Sequence, residues 1–231
     1  MALQLILTDI EGTTSSVSFV HDVLFPYALQ HMDDYLLRHG QAAVVQALLN
    51  DAACTVEKET GTRPDLPQAV DHLKRWLRAD RKHTALKSLQ GLIWEEGYDR
   101  GDFISHLYPE VASCLQAWRA AGYALGIYSS GSVHAQRLYF SHTEAGDLTP
   151  LFSFFFDTTI GPKKEADSYT RILQHVGLAG SEVLFLSDVE AELDAARATG
   201  MRTCQLVRPG TVASHLHHTA ADFTQIEPAA V

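Results

Sequence analysis

The sequence predicts an α/β protein: a parallel sheet with helical crossovers, interrupted after its first strand by an all-helical insertion. Three observations carry this. The apolar run Leu5-Ile6-Leu7 stops abruptly at Asp9, Glu11 and Gly12, as a strand buried on both faces does where it reaches a loop. From about Asp22 to Trp94 apolar residues recur at spacings of three and four, and nothing there reads as a strand. After Pro109 helical stripes alternate with short apolar strands, the pattern of crossover units. The chain therefore divides into a core of residues 1–17 and 101–231 and an insertion of residues 18–100.

The insertion reads as four helices. Leu24, Tyr27, Ala28, Met32, Tyr35 and Leu36 form one stripe, and Val44, Val45, Leu48 and Leu49 a second. Leu66-Pro67 opens the third after a turn at Gly61 to Pro64, with Val70, Leu73, Trp76 and Leu77 on its apolar face. Leu86, Leu89, Ile93 and Trp94 mark the fourth, broken by Gly97 and Gly101. In the core, strands are expected at residues 3–7, 123–128, 152–156, 183–186 and 202–207. Helices are expected at 111–121, 132–140, 166–176 and 189–199, and from Ser214 a short helix and an edge.

Composition excludes several classes. The formal net charge of −10 would repel a phosphate backbone, so neither nucleic acid nor an anionic membrane is an expected partner. Cys54, Cys114 and Cys204 form no CxxC pair, which argues against a disulfide framework and a thiolate zinc site and fits a reducing cytoplasm. No apolar run approaches the roughly 20 residues that span a bilayer.

Ligands of open parallel sheets bind beyond the carboxyl ends of the strands. Those ends carry Asp9 and Glu11, then Ser129-Ser130-Gly131-Ser132, then Asp157 with Gly161-Pro162-Lys163-Lys164, then Asp188. Each alone is an ordinary cap or turn former; the ordered set of acid pair, hydroxyl loop, lysine loop and acid is more specific. It resembles the haloacid dehalogenase superfamily of aspartate-nucleophile phosphohydrolases, over about residues 3–14 and 123–207. That likeness implies a Rossmann-like haloacid dehalogenase core with the insertion as a type 1 cap. D-I-E-G-T-T at Asp9 to Thr14, Y-S-S-G-S at Tyr128 to Ser132 and S-D-V at Ser187 to Val189 are similar to the enolase-phosphatases of methionine salvage. In these Glu11 stands where the wider superfamily has a second aspartate.

The residues suit the chemistry so implied. Asp9 would attack phosphorus, splitting one displacement into two easier ones. If Asp9, Glu11 and Asp188 converge, charges about 4 Å apart repel by about 4 kcal/mol at an effective dielectric near 20, so the cluster needs a cation. Oxygen ligands and a phosphate substrate select Mg²⁺. The resemblance implies one Mg²⁺ per chain held by Asp9, Glu11 through its backbone carbonyl, and Asp188. It also assigns the acid and base work to the Glu11 side chain. Ser129 and Ser130, between a strand and a helix, suit an anion cradle, and equally a helix cap. Lys163 or Lys164 would neutralise the phosphoryl oxygens, and the family spacing after the glycine selects Lys163. Glu192, one helical turn beyond Asp188, is expected to face the same site, and His21 to touch substrate. The histidine tract Ser214 to His218 reads as a solvated helix face.

The family likeness implies a cytoplasmic monomer. Its substrate would be 2,3-diketo-5-methylthiopentyl-1-phosphate, enolised and then dephosphorylated to the acireductone 1,2-dihydroxy-3-keto-5-methylthiopentene. The rivals are a generic Mg²⁺-dependent sugar-phosphate phosphatase or phosphomutase on the same scaffold, and a phosphoacceptor signalling domain. The last places its acceptor on the third strand, whereas Asp9 ends the first.

Overall fold

The computed structural model describes residues 2–231, and the chain forms two compact units, one of residues 1–17 and 104–231, the other Ser18–Phe103.

The first unit is built on a parallel sheet of six strands: β1 Leu5–Thr8, β2 Ala124–Tyr128, β3 Phe154–Phe156, β4 Val183–Ser187, β5 Arg202–Leu206 and β6 His218–Ala220. Their order is β3-β2-β1-β4-β5-β6, every neighbouring pair parallel. β1 is central because it is apolar on both faces: Leu5, Ile6 and Leu7 have no exposed surface. The chain leaves β1 for β2 on one side and later fills β4 on the other, so the order reverses at β1, where such sheets open a crevice. Register pairs Thr8 with Ile127 and with Leu186. Asp9 thus emerges between the ends of β2 and β4, one residue short of Ser129 and Asp188.

One sheet face packs Leu5, Leu7, Tyr128 and Phe185 against Tyr169, Ile172 and Leu193. These last three lie on α8 (Ala166–Val176) and α9 (Glu190–Arg197). Helices α6 (Val111–Ala120) and α7 (Val133–Ser141) are the other long helical elements of this unit.

The second unit is helical. A short turn α1 (Val17–Phe19) begins at the unit boundary and runs through a π-helical segment, Val20–Leu24, into α2 (Phe25–His39). Then follow α3 (Ala43–Thr60), α4 (Leu66–Arg78) and α5 (Thr84–Arg100). α4 starts at a capping box, in which Asp65 accepts from the Gln68 N–H while Gln68 accepts from the Asp65 N–H. The core joins Met32, Val45, Leu49, Leu73, Trp76, Leu86 and Leu89.

Four sequence expectations need correction. Gly97 does not break the last helix, which runs on to Arg100 and ends at Gly101 in a left-handed conformation. Gly97 is there for space: a Cβ would strike the rings of Phe103 and Tyr27 at 2.6 and 2.8 Å, and that packing overrides the poor helix propensity of glycine. Val44 lies off the α3 stripe and is exposed; the buried face is Val45, Leu49, Ala52 and Val56. β3 begins at Phe154, because Phe152 turns aside to pack its ring on Phe140. The edge and the short helix expected of the tail are β6 and a 3₁₀ turn at Phe223–Gln225, but no helix forms at Ser214. Its hydroxyl accepts from the Leu216 N–H in a bend that leads into β6, so the histidine tract is loop and edge strand.

Among the described residues no helix is long and apolar enough to cross a membrane. The three cysteines are free.

Candidate active site

The end of β1 is fixed by a tight turn. The Asp9 N–H donates to Leu186 O at 2.9 Å, still within the sheet, and the carbonyl of Ile10 then accepts from the N–H groups of Thr13, Thr14 and Ser15. Gly12 N–H closes the turn on Ser15 O at 2.7 Å. Gly12 has φ 78°, and a Cβ there would collide with the Asp188 carboxylate. Both conditions require glycine. Thr13 and Thr14, buried, complete the turn: Thr13 Oγ1 accepts from the Asp188 N–H at 3.0 Å, and Thr14 Oγ1 donates to Ile10 O at 3.2 Å.

Lys163 is the centre of charge. It follows β3 and Gly161, whose φ of 146° and closeness to Ser168 leave no room for a side chain. Its loop is held by Tyr128, whose hydroxyl donates to Gly161 O at 2.8 Å, and by Tyr169, which donates to Lys163 O at 2.6 Å. Its ammonium reaches Asp9 Oδ1 at 2.6 Å and Glu192 Oε2 at 2.7 Å. Lys164 is exposed. Ser187 Oγ donates at 3.0 Å to Glu192 Oε2, the same oxygen that meets the lysine.

Two buried carboxylates, Asp9 and Glu192, therefore share one ammonium, with the half-buried Asp188 carboxylate nearby and outside that pairing. Burial, followed by repulsion from Asp9, pushes Asp188 up to about 6. The same two causes push Glu192 up to about 7, against the pull of Lys163 and Ser187. Burial alone would lower Lys163, but attraction from Asp9 and Glu192 outweighs it and raises the lysine above its ordinary value. Raised carboxylates mean that the folded chain binds more protons than the unfolded chain. In the metal-free protein these two carboxyls accordingly contribute stability that is lost as pH rises from about 4 to about 7.

Asp188 Oδ1 is buried without a hydrogen-bond partner. An orphaned carboxylate oxygen beside a second carboxylate, in a cluster short of positive charge, fits a cation. Among the described residues no three His, Cys, Asp or Glu side chains form a ready cage. The donors at hand are carboxylate oxygens, which suit Mg²⁺, an ion that keeps several waters and takes one or two carboxylates, better than zinc.

Glu11 is half-buried on the same turn and bridges Ser15. Ser129, buried, follows β2 directly; its N–H donates to Phe156 O at 3.1 Å and its Oγ accepts from Gly131 N–H at 3.3 Å. Ser130 follows it, half-buried, and Ser132 caps α7. Asp157 is drawn away from the cluster: its carboxylate accepts from the N–H groups of Val133 and Thr159. His21 is exposed in the helical unit, with its ring against Phe25.

Sequence reasoning missed Gln205, which donates to the carbonyl of Asp188 at 2.9 Å, and Arg208, which donates to the carbonyl of Thr13 at 3.0 Å. Both lie on or just past β5, and only the strand-end rule, extended to side chains pointing along the sheet edge, could have singled them out.

An open parallel sheet whose first strand delivers a carboxylate to a buried lysine defines a hydrolase class. A family model of haloacid dehalogenase-like hydrolases matches residues 3–200, and the chain belongs to that family. It is 51% identical over 230 residues to Enolase-phosphatase E1 of Pseudomonas fluorescens (strain Pf0-1), covering all of both chains. It is 52% identical over 226 residues to the Enolase-phosphatase E1 of Methylococcus capsulatus, covering 98% of each. The fold matches the crystal structure of the UTR4 protein of Saccharomyces cerevisiae with a TM-score of 0.77 and 30% identity, over 98% of this chain and 100% of that one.

Proposed function

We propose that the chain is an enolase-phosphatase that acts on 2,3-diketo-5-methylthiopentyl-1-phosphate in methionine salvage and yields the acireductone and phosphate. The observation that carries the phosphatase half is the buried contact of Lys163 Nζ with Asp9 Oδ1 at 2.6 Å. It orients the carboxylate and sets it beside a cation able to meet phosphoryl oxygens. The full-length identity to curated enolase-phosphatases supports the enolase half and the substrate.

Asp9 attacks phosphorus, and the ester oxygen departs with a proton from the Glu11 side chain, leaving an aspartyl phosphate. Glu11, now ionised, takes a proton from water as that water attacks the same phosphorus; phosphate leaves and Asp9 is restored. In the preceding enolisation a base removes a proton beside a carbonyl, and Glu11 is the group assigned to it. Ser129, Ser130 and Lys163 hold the phosphoryl oxygens. Asp9, Asp188 and the backbone carbonyl of Glu11 would hold one Mg²⁺. Bound there, the ion supplies charge neutralisation between the nucleophile and the phosphoryl group. The helical unit is the cap, and the enzyme works as a cytoplasmic monomer on a small phosphate ester.

Anaerobic incubation with the diketo phosphate, followed by ultraviolet absorbance and phosphate assay, tests this. A transient enol and stoichiometric phosphate, both dependent on Mg²⁺, are expected. Turnover of simple sugar phosphates with no reaction of the diketo phosphate would establish the generic phosphatase instead.

A further inference from the structure

Arg208 leaves β5 in the stretch Val207-Arg208-Pro209-Gly210, and the chemistry above gives it no task. Its guanidinium is buried, and a buried guanidinium persists only when paired. Nη2 donates to Glu110 Oε1 at 2.6 Å and to the carbonyl of Thr13 at 3.0 Å, and Nη1 donates to Ala221 O at 3.4 Å. The plane lies over Tyr108, 3.8 Å from the ring centroid. Tyr108 in turn donates its N–H to Thr14 O at 3.1 Å. Arg208 and Tyr108 thus grip successive carbonyls of the turn that begins at Gly12. On its other side that turn offers Thr13 Oγ1 to the Asp188 N–H and sets Gly12 against the Asp188 carboxylate.

Stability alone does not explain the arrangement. Packed apolar side chains in place of a buried ion pair are often neutral or stabilising. What an arginine adds is several directed bonds from one rigid plane. Here one of them holds the carbonyl of Thr13, the residue whose hydroxyl accepts from the Asp188 N–H, while the others anchor the plane on Glu110 and Ala221.

We propose that Arg208 is a positioning residue: by fixing the carbonyl of Thr13 it sets the turn against which the Asp188 carboxylate is aimed. The inference rests on the reading that Asp188 holds the metal. Calorimetric titration of the metal-free full chain with MgCl₂ tests it, with melting temperature, kcat and KM measured alongside. Arg208→Met should weaken Mg²⁺ binding by about tenfold or more, in the range seen when partners of metal ligands are removed. At saturating Mg²⁺ its KM should stay within about threefold of the parent while kcat falls, because the substrate contacts are untouched. Arg208→Lys, which can keep one of the bonds, should recover part of the affinity. Leu73→Ala, in the core of the helical unit, should lower the melting temperature and leave Mg²⁺ affinity unchanged. The inference is overturned if folded Arg208→Met binds Mg²⁺ as the parent does, or if Leu73→Ala weakens binding equally. Should Arg208→Met not fold, parental affinity in Arg208→Lys overturns it. Parental affinity in Asp188→Asn would remove the metal assignment itself, and this inference with it.

Discussion

The helical unit and the carboxyl edge of the sheet handle charge in opposite ways. In the helical unit the core is built from apolar side chains, with Gln90 a buried polar but uncharged exception, and the ion pairs lie on its surface, as in Arg38 with Glu96, Lys74 with Asp33 and Arg81 with Glu59. Such pairs are screened and add little. At the sheet edge Lys163, Asp9 and Glu192 are withdrawn from water together, and Asp188 retains a buried oxygen with no partner. Desolvating these groups costs stability that their mutual attraction must offset. The first region is built to stay folded, and the second to hold a reactive arrangement that folding alone would not select.

Substitutions that exchange the two behaviours sharpen the contrast. Lys163→Met should have the largest effect: it leaves carboxylates buried without a cation, at a cost of about 3 to 5 kcal/mol by urea denaturation, and it removes phosphate release. A more stable Lys163→Met would mean that the lysine does not offset those charges. Leu73→Ala should cost about 2 to 5 kcal/mol through the cavity it leaves, since Leu73 is buried among α3, α4 and α5 residues. Asp33→Asn should change stability by less than about 1 kcal/mol, because Asp33 is largely exposed in its pair with Lys74. A larger loss there would show that surface pairs carry the helical unit after all.

Much of the core was legible because buried parallel strands write themselves as short apolar runs ended by polar residues. The helix expected at 166–176 forms over those residues, and the acids, serines and lysine all lie at strand ends. Of the two adjacent lysines only Lys163 is buried against Asp9, the lysine that the family resemblance selects. Arg208 was not legible. Its partners Thr13 and Glu110 lie 195 and 98 residues away, and nothing in its neighbours marks the meeting. The histidine tract failed as a helix face for another reason: Ser214 to His218 has no apolar period, and β6 forms because β5 offers it an edge. Gly97 failed because intimate packing, invisible to propensity, decides its conformation.

The central claim is that Asp9 carries the phosphoryl group. Rapid acid quench during turnover, borohydride reduction and peptide mapping by mass spectrometry test it directly. The account predicts that Asp9, reduced to homoserine, is the trapped site, and that Asp9→Asn releases no phosphate while remaining folded. Full phosphatase activity in Asp9→Asn, or a phosphoryl group trapped on Ser129, would contradict it.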